Sequence, residues 1–172
     1  MNRVDVFQHT PTEPLGYIEK LFCRWDIPFK YHCLSETNEV SARDATRLIF
    51  LGGPMSVNNE AEFPWLRQEK DLIRRALKKE IPVLGLCLGA QLVASANGAR
   101  VFRFTHETGW CRVHREPGVK GPFATFPDSL FVFQMHNETF EIPYGGNLLV
   151  TGERVRNHGF RLKAALLPPV PS

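Results

Sequence analysis

Along the first hundred positions short apolar runs take turns with longer amphipathic ones, at 4–8, 15–25, 28–32, 47–51, 65–79, 82–86 and 88–97. That rhythm predicts strands alternating with helices, hence an α/β fold with an open, mainly parallel sheet and helices on both faces. Leu48-Ile49-Phe50-Leu51 and Val83-Leu84-Gly85-Leu86 lack polar alternation, as strands covered on both faces do. Leu66, Leu72, Ile73, Ala76 and Leu77 recur at three- and four-residue steps, which predicts an amphipathic helix over 63–79. Beyond Gly98 the chain is richer in Gly, Pro and aromatic residues, and strands are expected near 99–104, 109–114, 130–134 and 147–151. No polar linker interrupts this course, so one domain is expected over 1–163, followed by an atypical Pro-rich tail, 164–172.

Composition narrows the class. With 43% hydrophobic and 23% charged residues in 172, the chain is neither disordered nor fibrous and is long enough for a real core. The net charge of +3 is the balance of 21 basic and 18 acidic residues, and these are spread too evenly to hold nucleic acid or a membrane surface. No apolar stretch approaches the length of a spanning helix and the N-terminus lacks a signal-type apolar region, so a cytoplasmic protein is expected. Cys23, Cys33, Cys87 and Cys111 show no CxxC pair or metal-finger spacing. Free thiols and no metal are expected.

One cysteine stands apart. The strand at 82–86 runs directly into Cys87 and then into a helix that begins Leu88-Gly89-Ala90-Gln91. A nucleophile at such a junction sits in a tight turn that lifts its side chain above the strand ends, and Gly85 and Gly89 remove the clashes there. The helix start supplies unpaired N–H groups and the positive end of its dipole, which favour a thiolate and let the Leu88 N–H hold an oxyanion. A second strand end, at Leu51, leads into Gly52-Gly53-Pro54-Met55-Ser56. Glycine there lets the backbone approach a ligand closely, and the N–H groups of this turn can complete an oxyanion hole.

Taken together, Leu51-Gly52-Gly53-Pro54-Met55-Ser56-Val57 and Gly85-Leu86-Cys87-Leu88-Gly89-Ala90-Gln91 resemble the paired signature of the class I glutamine amidotransferases. The similarity runs from about Val4 to about Phe160 and is closest to the stand-alone, GMP-synthase-like branch. It implies a flavodoxin-like fold, Cys87 as nucleophile, and Gly53 and Leu88 as oxyanion donors. It further implies that Gly52, Pro54, Gln91 and the stretch Met135, His136 and Asn137 contact glutamine. Met135 and Asn137 depart from the tryptophan and glycine common there. The reaction implied is thiolate attack on the glutamine side-chain amide, which releases ammonia and then glutamate without a cofactor. A synthetase partner would accept the ammonia.

The nucleophile needs a base and the base an orienting partner, which the resembling proteins supply as a late His-x-Glu. Here Val155-Arg156-Asn157-His158-Gly159-Phe160-Arg161 resembles the lead-in, with His158 where glutamine is common, but Ala164 to Ser172, with Pro168, Pro169 and Pro171, does not supply the pair. The closing βα unit of the fold is therefore expected to be absent and the C-terminus truncated or frame-altered. Two other segments spell His-x-Glu. His114-Arg115-Glu116 is expected at the surface, and His136-Asn137-Glu138 aligns with the substrate-side histidine. His9 is expected to cap the loop after the first strand. Two further readings stand beside the glutaminase: a non-catalytic amidotransferase-like binding protein, and another cysteine hydrolase of the same superfamily. A sheet face left uncovered would favour a homodimer.

Overall fold

A computed structural model describes residues 3–42 and 44–162. Its contacts divide the chain after Ala96 into two compact units. The expected Pro-rich tail lies outside the described residues.

The first unit holds β1 (Val4–Gln8), α1 (Tyr17–Arg24), β2 (Phe29–Cys33), a single turn α2 (Leu34–Thr37), β3 (Arg47–Phe50), α3 (Trp65–Lys78), β4 (Val83–Gly85) and α4 (Leu88–Ala96). Its strands are all parallel, in the order β2-β1-β3-β4. This is the flavodoxin-like order, whose direction of winding reverses between β1 and β3, so that loops after those strands diverge and leave a crevice at their carboxyl ends.

β1 is buried along its whole length, including its two polar residues, Asp5 and Gln8. The Asp5 carboxylate is fully buried and held by Arg3 Nη2 at 3.1 Å and by His32 Nε2 at 2.6 Å. Val4 and Val6 point the other way, into a cluster with Leu15, Ile49 and Leu51 against which Ile18 and Phe22 of α1 pack. On the Asp5 face Phe7 stacks between His32 and Phe50, with ring centroids 4.9 and 4.8 Å apart.

The expected open parallel sheet of an α/β fold is that of the first unit, and the second unit is an antiparallel sheet. It comprises β5 (Val101–Arg115), β6 (Ser129–Phe140), β7 (Gly146–Gly152) and β8 (Gly159–Leu162), ordered β6-β5-β7-β8. The two strands expected near 99–104 and 109–114 are one long strand with a bulge between Arg103 and Glu107. Four steps along β5 there match two along β6, so β5 carries two extra residues and its inward positions stay odd-numbered on both sides of the bulge. From Glu107 onward, Glu107, Cys111 and Val113 share one face of β5 with Gln134 and His136 of β6. Trp110, Phe131, Phe133 and Met135 occupy the other face and reach solvent.

Among the described residues β4 pairs with no strand but β3. No helix among them is long and apolar enough to cross a membrane.

The tightest helix-to-strand approach is at Gly89. A methyl group there would overlap the Phe50 carbonyl of β3. Gly89→Ala is expected to lower unfolding stability by about 1–3 kcal/mol through overpacking, measured by denaturant titration.

Candidate active site

Cys87 is separated from β4 by Leu86 alone and stands at the N-cap of α4, its carbonyl accepting from the N–H groups of Ala90 at 3.0 Å and Gln91 at 3.2 Å. Its φ is 54°, in the left-handed region that costs a side-chain-bearing residue about 1–2 kcal/mol. Packing on both sides enforces that turn. A Cβ on Gly85 would overlap the Gly89 carbonyl, while the Gly89 N–H donates to Leu51 O at 3.0 Å and Leu86 O at 2.9 Å. The expected elbow is thus formed, with the Cys87 side chain exposed to solvent.

The glycine loop after β3 reaches the same place. A Cβ on Gly52 would lie 3.7 Å from Cys87 Cβ, and one on Gly53 would lie 2.9 Å from the Leu88 side chain and 3.0 Å from His9 Cβ. Gly52, Gly53, Cys87 and Leu88 therefore converge as the sequence implies, with Pro54 exposed at the turn and Gln91 buried on the first turn of α4. Met135, His136 and Asn137 belong to the second unit, where alternation along β6 puts Met135 and Asn137 on the exposed face and His136 on the opposite one.

His9 is a deeper element of the site than a loop cap. Its imidazole is fully buried and stacks on Trp65, with centroids 5.4 Å apart. Nδ1–H donates to the Gly52 carbonyl at 2.9 Å, and Nε2 meets the Glu69 carboxylate at 3.0 Å. Because a carbonyl only accepts, Nδ1 keeps its proton, and the Nε2–Glu69 contact shares one more. Burial opposes charge on His9, but Glu69 and the Gly52 carbonyl together raise its pKa. Burial also raises that of Glu69. The pair therefore retains a proton that the unfolded chain gives up. Next to it on α3, Lys70 Nζ donates to the Val57 carbonyl at 2.8 Å and to Glu60 at 2.7 Å. One helix thereby fastens both ends of the loop carrying Gly52 and Gly53.

The electrostatics at Cys87 run against a free thiolate. Protein packed around the base of the side chain pushes the thiol pKa up, and the Glu13 carboxylate adds to the rise. The Leu88 N–H pulls it down by a smaller amount. Glu13 lies against the α-carbon of Gly52, where a Cβ would overlap its Oε2. Neither histidine of this unit serves the thiol, since both His9 nitrogens are occupied and His32 Nε2 is bound to Asp5. In the second unit His114 Nε2 lies 3.7 Å from Glu153, partly exposed. His136 and His158 gather around the buried Glu107 carboxylate, and burial lowers the His158 pKa despite that neighbour.

Glu13, Glu69 and Lys70 carry no motif that singles them out in the sequence. Glu69 does leave a signal. It falls three residues after Leu66 and four before Ile73, on a helical stripe that is otherwise apolar, and all three are buried.

Residues 17–164 match the family model for glutamine amidotransferase class-I. The chain belongs to this family. A glutamine-hydrolysing GMP synthase component from Picrophilus torridus is 34% identical over 95 residues, covering 55% of this chain and 48% of that protein. Its counterpart from Saccharolobus solfataricus is 34% identical over 114 residues, covering 63% and 56%. The chain thus spans about half the length of these curated relatives. A glutamine amidotransferase from Thermotoga maritima superposes with a TM-score of 0.88 at 34% identity, covering 95% of this chain and 72% of that one. Another from Methylobacillus flagellatus gives 0.86 at 32%, covering 94% and 66%.

Two measurements follow from this geometry. The rate of Cys87 alkylation by iodoacetamide should rise with pH through a midpoint above the ordinary thiol range near ~8.5. Glu13→Gln should move that midpoint down and speed labelling at pH 7. Loss of the buried Glu69 partner in Glu69→Ala should cost about 3–5 kcal/mol at pH 6. In the parent chain the His9 contribution is complete below its unfolded value of about 6.5 and fades as pH rises through its raised folded value. Denaturant titrations across that range should show the decline in the parent and a flatter profile in Glu69→Ala.

Proposed function

We propose that this amidotransferase domain binds glutamine at the Cys87 elbow and hydrolyses its side-chain amide. Convergence of Gly53 and Leu88 beside Cys87 is the observation that carries this reading. The Cys87 sulfur attacks the amide carbon, and the oxygen that becomes negative is held by the N–H groups of Gly53 and Leu88. The carbon–nitrogen bond breaks as the nitrogen takes up a proton and leaves as ammonia. Water then attacks the thioester and frees glutamate, returning the thiol. Gly52, Pro54 and Gln91 contact the substrate. The relatives named as components of glutamine-hydrolysing GMP synthases support release of the ammonia to a separate synthetase in the cytoplasm.

With the thiol pKa raised and His9 and His32 committed elsewhere, the described residues of the first unit offer Cys87 no imidazole to take its proton. That same observation supports a second reading, a glutamine-binding protein without turnover.

Ammonia release from glutamine by the 172-residue chain separates them. Turnover above the buffer rate that disappears in Cys87→Ala is the expected result. Saturable glutamine binding with no turnover in either protein would select the binding protein, and neither binding nor turnover would reject both.

A further inference from the structure

The second unit gathers one carboxylate and two imidazoles at a single point. Glu107 and His136 face each other across β5 and β6, and His158 reaches the same point from the segment just before β8. Their ligand atoms all lie within 4.8 Å of one another. His136 Nε2 stands 3.2 Å and His158 Nε2 3.5 Å from a single atom, Glu107 Oε2, with side-chain exposures of 14%, 8% and 2% for the three residues. Yet Glu107 Oε2 and His158 Nε2 have no hydrogen-bond partner among the described residues. The groups converge without the alignment that a proton shared between them requires.

The outer hydrogen bonds explain why. His136 Nδ1–H donates to the Glu138 carbonyl at 3.1 Å. In the neutral ring this leaves a lone pair on Nε2, 3.2 Å from a carboxylate oxygen. The side-chain amide of Gln134 stands 3.2 Å from His158 Nδ1. Turned end for end, that amide presents its oxygen to Nδ1–H and leaves His158 Nε2 as a second lone pair. Carbonyl-type acceptors on the far nitrogen are what orient histidines that ligate metals. Space has also been made for the ring, because a Cβ on Gly152 would overlap the His158 imidazole.

From these contacts we infer that Glu107, His136 and His158 form a binding site for a divalent metal ion of the zinc type. Three ligands at ~2.0–2.1 Å in tetrahedral array stand about 3.3–3.4 Å apart; the two His–Glu107 separations of 3.2 and 3.5 Å bracket that value, and all three ligand atoms lie within 4.8 Å of one another. A cation between the three atoms satisfies the orphaned oxygen and both lone pairs at once. Two imidazoles and a carboxylate suit Zn2+ or Co2+ rather than the all-oxygen preference of Mg2+ or Ca2+. Three protein ligands leave a fourth position for water or a small anion.

The chelator-treated 172-residue chain, titrated calorimetrically with Zn2+ and followed optically with Co2+, tests the assignment. One equivalent should bind, with a rise in Tm on Zn2+ addition and a Co2+ spectrum of tetrahedral type. His158→Gln and Glu107→Gln should each weaken Zn2+ binding by at least about tenfold, whereas Cys87→Ser and Cys111→Ser should leave it unchanged. The inference is overturned if the parent chain binds neither ion. It is equally overturned if binding survives both ligand substitutions or follows the cysteines. Should either ligand variant fail to fold, the stoichiometry and Co2+ spectrum of the parent still decide.

Discussion

Everything at the candidate site depends on how closely the start of α4 approaches the end of β3. With no side chain on Gly85 or Gly89, the helix backbone lies against the Phe50 carbonyl and the turn from β4 into α4 is confined to two residues, of which the second bends hardest. That residue is Cys87, forced to a φ of 54°. The conformational cost is offset by packing on both sides, and it presents the thiol beside the Leu88 N–H and over the glycine loop after β3. A shallower turn would leave the same residues in sequence and place none of them together.

α3 holds the other half of the arrangement through charge rather than through its apolar stripe. Glu69 fixes His9, which fixes the Gly52 carbonyl, and Lys70 fixes Val57 and Glu60 farther along the same loop. A buried ion pair of this kind adds little net stability but penalises any structure that leaves one partner alone. Its effect is to give the glycine loop one conformation. The same environment raises the pKa of the Cys87 thiol, with Glu13 adding to the shift. Geometry and protonation are thus separate requirements here, and the first unit meets only the first.

Much of the first unit was legible because its signals are local. Unbroken apolar runs mark buried parallel strands, and the glycine spacing around Cys87 announces the elbow. The helix expected over 63–79 is found at Trp65–Lys78. The second unit was less legible because long-range pairing decides it. A bulge between Arg103 and Glu107 joins what read as two strands. β8 carries the short run Gly159–Leu162, too brief to stand out by periodicity. His136 was visible as part of a motif, but its company with Glu107 and His158 arises from cross-strand register and from a loop, neither of which sequence spacing encodes. The roles of His9 and Glu69 were hidden for a similar reason, being 60 positions apart.

The central claim is that Cys87, alone among four cysteines, is built to meet the side-chain amide of glutamine. Its most direct test is mass-spectrometric mapping after prolonged exposure to an electrophilic glutamine analogue, with and without excess glutamine. One adduct on Cys87, suppressed by glutamine, is the predicted result. Labelling spread over Cys23, Cys33 and Cys111, or a Cys87 adduct that glutamine does not suppress, would contradict the account.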